Sequence, residues 1–242
     1  MRVRAVVAYD GTDYCGFQRQ ANAPTVQEAL ETAVEQVTQA EATVLAAGRT
    51  DSGVHAVGQV IAFDTAWRHQ LNDLQRALNA VLPVDIAVRE LDEVAPDFHP
   101  RYGARSRCYQ YRLYCAPVRC PLARRYALHV VTPLDVGAMQ QAGQSLVGER
   151  DFAAFGQPPQ GRVTVRRVLR VAWSGELPWL SFDIEANAFL YRMVRSIVGT
   201  LLMVGEGRMD YEAFAAVLAE CDRSGAGPTA PPHGLCLMEV KY

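Results

Sequence analysis

One carboxylate set among glycines, an arginine and a histidine is where this 242-residue chain is best equipped to do chemistry. The run is Gly48-Arg49-Thr50-Asp51-Ser52-Gly53-Val54-His55-Ala56. Residues 42–47 read as a strand, and Val57 to Asp64 as a second with apolar residues at period two. The loop between them is therefore held at both ends, and loops on rigid scaffolds commonly carry reacting groups. Gly48 and Gly53 are expected to supply the backbone angles for a sharp turn that presents Asp51 beside Arg49. An ionised aspartate so placed can serve as nucleophile or base. Asp-Ser-Gly is also ordinary turn chemistry, in which the side chain accepts from a nearby backbone N–H.

The rest of the chain must hold that loop, and its composition says how. Half of the residues are hydrophobic, enough for one large domain or two smaller ones. No apolar run reaches the roughly eighteen residues of a membrane span. Met1-Arg2-Val3-Arg4-Ala5-Val6-Val7 alternates like a strand instead of forming a signal peptide's apolar block. A cytoplasmic protein without membrane association is expected. The cysteines at 15, 108, 115, 120, 221 and 236 include no Cys-x-x-Cys pair and read as reduced core thiols. With the histidines equally scattered, no metal is expected.

The net charge of −2 conceals segregation. Residues 85–97 hold Asp85, Glu90, Asp92, Glu93 and Asp97 against Arg89 alone, whereas residues 101–125 hold seven arginines and no acid. Tyr102, Tyr109, Tyr111 and Tyr114 are interleaved with those arginines. Guanidinium groups fork onto phosphates and aromatic rings stack on unpaired bases, so the stretch suits RNA. Arg162, Arg166, Arg167 and Arg170 form a second basic group. Such strands also occur as solvated faces, and Lys241 is the chain's one lysine, so arginine preference by itself says little.

Four helices are expected: one capped by Thr25 with Glu28 in a capping box, one over Arg68 to Leu82, one from Pro133 and Asp135 to about Gly148, and an apolar core helix over Ala188 to Val204. Strands are expected at 2–9, 42–47, 57–64, 85–92, 106–115, 125–131, 163–173, 179–186 and 235–241. Strand-helix-strand sets recur before and after a break near Pro96 to Arg105, giving an α+β fold of two similar subdomains, residues 1–100 and 101–242, on a mainly antiparallel sheet with helices on one face. Residues 156–161 and 224–234 read as loops.

The nonapeptide around Asp51 resembles the signature loop of tRNA pseudouridine synthases of the A type, and further segments match in order along nearly the whole chain. Tyr9-Asp10-Gly11-Thr12, Gly16-Phe17-Gln18-Arg19-Gln20 and Thr25-Val26-Gln27-Glu28 resemble the family's N-terminal run. Phe98-His99-Pro100-Arg101 resembles its inter-domain motif, with Pro100 where the family usually has alanine. Arg107-Cys108-Tyr109-Gln110-Tyr111, Met193-Val194-Arg195-Ser196-Ile197-Val198-Gly199-Thr200 and Ala230-Pro231-Pro232-His233-Gly234-Leu235 match its later motifs. Ser52, where alanine is common, and Tyr191-Arg192 depart from the pattern without removing a reacting group.

The resemblance implies a pseudouridine synthase fold of two ferredoxin-like subdomains with an RNA-binding cleft where the Asp51 loop meets strand 106–115 and the Arg195 helix. It implies a cofactor-independent isomerase acting on tRNA as a homodimer, converting uridine to pseudouridine in the anticodon stem-loop at tRNA positions 38, 39 and 40. Residue by residue, it places Asp51 as the catalytic carboxylate, Arg195 as its partner, Tyr109 against the target base and Leu235 as an apolar wall. The chemistry asks for the same groups. An arginine hydrogen-bonded to a carboxylate keeps it ionised and oriented, and a stem uridine must be flipped out, for which Arg49 is placed to fill the vacated space. Arg49 and Arg192 remain alternative partners of Asp51, and Asp183 or Glu185 an alternative partner for Arg195. Attack at C6, attack at C1′ and removal of a sugar proton stay open as roles for Asp51.

Two other readings compete. Asp51-Ser52-Gly53 matches the short signature of aspartic proteases, yet no second Asp-[Ser/Thr]-Gly completes a dyad within the chain. A non-catalytic RNA-binding module could use the Arg-Tyr strand, although Arg107 to Tyr111 lacks the glycine of an RNP-type pattern.

Overall fold

The computed structural model describes residues 1–158 and 161–242 and forms two compact units, Met1–Arg105 with Cys236–Tyr242, and Ser106–Leu235. The loop expected at 156–161 thus includes Pro159 and Gln160, which lie outside the described residues.

The first unit runs β1 (Arg2–Tyr9), α1 (Val26–Thr38), β2 (Leu45–Ala46), β3 (His55–Asp64), α2 (Leu71–Val81), β4 (Ile86–Val94), and takes β10 (Leu235–Lys241) from the chain's end. The order across the sheet is β4-β1-β3-β10, with β2 also on β3. The first four strands pair antiparallel, the ferredoxin-like arrangement the sequence suggested. β1 alternates as its sequence does, burying Val3, Ala5, Val7 and Tyr9. Thr25 caps α1, its side chain accepting from the Glu28 N–H. Val26, Leu30, Ala33 and Val34 form that helix's buried stripe.

One edge of β3 is shared. Leu45 and Ala46 of β2 pair with its far half at Ala62 and Ile61, while Cys236 and Leu237 of β10 pair parallel with His55 and Ala56 at its start. β2 therefore stays beside β3 for two residues only, shorter than the expected strand. The chain between Ala47 and Val54 is released from the ladder as a loop.

The second unit runs β5 (Ser106–Cys115), β6 (Leu128–Val130), α3 (Val136–Gln144), β7 (Gly148–Asp151), β8 (Val165–Ser174), β9 (Trp179–Ala186), α4 (Met193–Gly205) and α5 (Tyr211–Glu220). Its sheet order is β5-β9-β8-β7 with β6 beside β5. The run β5-α3-β8-β9-α4 repeats the sequence β1-α1-β2-β3-α2 of the first unit. In both, the hairpin's second strand lies against the opening strand. Leu180, Phe182, Ile184 and Ala186 of β9 are buried, matching the expected alternation.

Four expectations need correction. The helix expected from Ala188 starts at Met193, because Arg192 sits in the left-handed region at φ +62° and Tyr191 bridges to Gln157. The third helix ends at Gln144; Gly148, at φ +108°, then opens strand β7 where helix was expected to end. α5 was not anticipated, although Asp210 caps it and Phe214, Val217 and Leu218 give a helical stripe. All six cysteines are free, as expected, but none is buried: Cys15 is exposed and the others half-buried.

Candidate active site

The Asp51 loop is clamped by backbone contacts from the segment that follows β1. Gly11 and Gly16 allow that segment to lie against it: a Cβ on Gly11 would fall 2.0 Å from the Val54 carbonyl oxygen, and one on Gly16 2.8 Å from that of Thr50. The Phe17 N–H donates to the Thr50 carbonyl at 3.1 Å, and the Gly53 N–H to that of Tyr14 at 3.3 Å. Val54 N–H closes a turn on the Asp51 carbonyl at 3.1 Å. Gly53, at φ +76°, does what was expected of it. Gly48 does not: its φ is not positive, and a Cβ there would meet open space.

Within this frame Asp51 is half-buried, Ser52 and Arg49 exposed, and Thr50 buried. Arg49 makes no hydrogen bond or ion pair among the described residues. His55, read as part of the loop, is the first residue of β3 and is buried. Its Nδ1 accepts from the Gly11 N–H at 3.0 Å and lies 3.1 Å from Asp10 Oδ1. Asp10 Oδ1 also accepts from the Thr12 N–H and hydroxyl, so the turn after β1 is tied to the start of β3. The Tyr14 hydroxyl donates to Asp85 Oδ1 at 2.7 Å; burial, then that carboxylate, raises its pKa.

In the second unit, Tyr111 and Leu113 of β5 are fully buried, while Tyr109 on the same face is half-buried and meets Phe189 edge-on at 5.1 Å between ring centroids. The Tyr111 hydroxyl donates to the Pro231 carbonyl at 2.8 Å, and burial raises its pKa. The sequence interleaved these tyrosines; burial separates a core residue, Tyr111, from a partly accessible one, Tyr109.

Arg195 lies in the first turn of α4 and is half-buried. Its Nε donates to the Ala230 carbonyl at 2.7 Å, and the Ala230 N–H donates back to the Arg195 carbonyl at 3.0 Å. The segment 227–230 is strapped across α4. Gly227 N–H donates to Thr200 Oγ1 at 2.9 Å, and a Cβ on Gly199 would fall 1.7 Å from the Pro228 carbonyl oxygen. A 3₁₀ turn, Pro232–Gly234, then delivers Leu235, 6% exposed. Arg192 is exposed, its guanidinium over the Tyr191 ring at 4.8 Å. Asp183 Oδ1 accepts from Gln110 and Glu185 Oε1 from Ser106.

Tyr9, Thr12, Tyr14, Gln59 and the strap residue Ala230 support the two sites but were not singled out for that. Gly11 and Gly16, spaced around Tyr14, were the available signal. Among the described residues no group of His, Cys, Asp and Glu could hold a metal ion, and no helix is long and apolar enough to cross a membrane.

Asp51, Arg49, Arg195 and Leu235 fall inside a match to a family described as tRNA pseudouridine synthase, which covers residues 5–103 and 142–242, while Tyr109 lies between the two matched stretches. Proteins named tRNA pseudouridine synthase A resemble the chain over almost its whole length. That of Chloroflexus aurantiacus is 48% identical over 99% of this chain and 88% of its own. That of Moorella thermoacetica is 46% identical over 99% of both. That of Brevibacillus brevis is 44% identical over 100% of this chain and 99% of its own. An α+β fold of duplicated units and matches of this extent define an isomerase of the pseudouridine synthase class. Within that class, the chain belongs to the tRNA pseudouridine synthase family.

Proposed function

We propose that this chain converts uridine to pseudouridine in the anticodon stem-loop of tRNA, at tRNA positions 38, 39 and 40, with Asp51 as nucleophile and no cofactor. The observation that carries the reading is the Asp51 loop itself. A half-buried carboxylate sits on a segment whose backbone is clamped from Thr50 to Val54. A turn-forming aspartate needs no such frame, and an attacking group does, because loss of orientation is lost rate.

The reaction breaks the N1–C1′ bond, rotates the uracil and joins C5 to C1′. A nucleophile holds the intermediate between the two bonds. Asp51 supplies it, and Arg195 is the basic partner that orients it, its guanidinium steadied through Nε by Ala230. Tyr109, half-buried within β5, packs on the extruded uracil, and Leu235 contributes an apolar wall. The C5 hydrogen leaves as a proton, which the Tyr109 hydroxyl can handle. Arg49, exposed and uncommitted among the described residues, enters the space left by the flipped base. The names of the relatives support tRNA as substrate. A cytoplasmic homodimer completes the proposal, a second basic surface helping a small subunit to span anticodon arm and body.

The test is to incubate unmodified tRNA carrying uridines at 38, 39 and 40 with the protein and map pseudouridine by carbodiimide adducts and primer extension. Stops confined to those positions support the assignment. Stops elsewhere, with these uridines untouched, would move the enzyme to another part of the tRNA.

A further inference from the structure

Beneath the Asp51 loop lie three buried side chains whose hydrogen bonds the reaction itself does not call for. Gln59 of β3 is fully buried, and its Nε2 donates to the Gly48 carbonyl at 2.8 Å and to the Tyr9 hydroxyl at 3.4 Å. Tyr9, the last residue of β1 and 4% exposed, has its hydroxyl 2.8 Å from Thr50 Oγ1. Thr50, also buried, directly precedes Asp51. Burial raises the Tyr9 pKa, so the phenol keeps its proton. Its oxygen accepts from Gln59, and it shares a further bond with the Thr50 hydroxyl in which either can be the donor. The hydrogen-bonded chain runs from Gln59 through Tyr9 to Thr50, with a branch to Gly48.

Packing does not explain the choice of residues. Aliphatic side chains would fill the space without polar atoms to satisfy, and Gln59 Oε1 has no partner among the described residues. The amide is kept for its N–H groups: one ends on the Gly48 carbonyl, and the other on the Tyr9 hydroxyl that is itself bonded to Thr50. Thr50 is held a second way, its carbonyl accepting from Phe17. We infer that Tyr9, Thr50 and Gln59 are positioning residues, a buried hydrogen-bonded chain that fixes the backbone from Gly48 to Asp51 and so aims the Asp51 carboxylate. The inference rests on Asp51 being the nucleophile and adds how it is held.

The experiment is single-turnover tritium release from tRNA labelled at C5 of uridine, with enzyme in excess, alongside tRNA dissociation constants and thermal unfolding. Tyr9→Phe and Thr50→Val should each slow release about tenfold or more while tRNA affinity changes less than about twofold, since misaimed groups lose rate and not binding. Thr50→Ser keeps the hydroxyl and should keep the rate. The double variant should be no slower than the slower single, because both singles already remove the Tyr9–Thr50 bond. Tyr242→Phe is the control: it loses a comparable hydroxyl-to-carbonyl bond, to Pro100 at 2.8 Å, and should release tritium at the wild-type rate. Wild-type rates for Tyr9→Phe and Thr50→Val beside an inert Asp51→Asn overturn the inference and leave the nucleophile standing. Equal slowing by Tyr242→Phe, or Thr50→Ser as slow as Thr50→Val, also overturns it, by showing a general loss of stability. Release by Asp51→Asn removes the nucleophile and the inference together. If Tyr9→Phe does not fold, the near-isosteric Thr50 pair decides alone.

Discussion

Replacing Gly11 with alanine should disable the enzyme from a position that carries no reacting group. The added Cβ would lie 2.0 Å from the Val54 carbonyl oxygen, 2.7 Å from its carbon and 3.2 Å from its nitrogen, all backbone atoms that no side-chain rotation can clear. Relieving the contact to an ordinary separation of about 3.5 Å requires the segment after β1 and the Asp51 loop to part by roughly 1.5 Å. Val54 is bonded through its N–H to the Asp51 carbonyl, so the displacement passes to the proposed nucleophile. A shift of about 1 Å at a reacting group costs on the order of a hundredfold in rate. Overpacking of this kind costs about 1–3 kcal/mol, or roughly 2–12 °C in Tm for a chain of this size. The assay is single-turnover pseudouridine formation beside thermal unfolding, with Gly48→Ala as comparison. That residue has open space around its Cβ position and no positive φ, so alanine there should leave rate and Tm near wild type. A folded Gly11→Ala protein with wild-type rate would refute the reasoning that this contact sets the position of Asp51.

Other consequences concern the remaining site residues and the assembly. Arg49→Ala should bind tRNA nearly as well as wild type but modify a stem uridine at least about tenfold more slowly, because flipping costs a few kcal/mol that the arginine helps to offset; unchanged activity on a paired uridine ends that role. Gly199→Ala should push the strap off α4 and free Arg195 from Ala230, since its Cβ would meet the Pro228 carbonyl oxygen at 1.7 Å. Both Tm and rate should fall, and a fully active, equally stable variant contradicts the strap's part in holding Arg195. Asp210→Ala removes the N-cap bond to the Ala213 N–H, so Tm should drop by roughly 2–4 °C for about 1 kcal/mol with rate unaffected. Sedimentation should show a dimer at assay concentrations, and a monomer there would remove the homodimer from the proposal.

The parts of this fold that were legible in its sequence are those where one face is buried and the other wet. Strands β1 and β9 alternate residue by residue, and the capped stripe of α1 declares a helix, because burial acts on each side chain in turn. What stayed hidden depends on partners distant in sequence. β2 is shorter than its apolar run because β10 takes the rest of the β3 edge. α4 begins late because Arg192 adopts a left-handed backbone beside the Gln157 bridge, which no local propensity foretells. α5 is a different case, since its cap and stripe were present but went unread between the helix expected to end at Val204 and the loop expected from 224. In the site, Asp51 and Arg49 stood out by type and spacing. Gly48 was credited with a share of the turn that Gly53 supplies, while Gly11 and Gly16, not singled out, matter for close backbone approach. Tyr9 and Gln59 read as strand residues, and only their hydrogen bonds to the loop distinguish them.

The central claim is that Asp51 does the chemistry. Tritium release from tRNA labelled at C5 of uridine tests it most directly, because forming the C5–C1′ bond must expel that hydrogen whichever atom the carboxylate attacks. Wild-type protein should release tritium, and Asp51→Asn, nearly identical in shape but not ionisable, should bind the same tRNA and release none. Release by the asparagine variant at a rate near wild type would contradict the account and send the search for the nucleophile elsewhere in the chain.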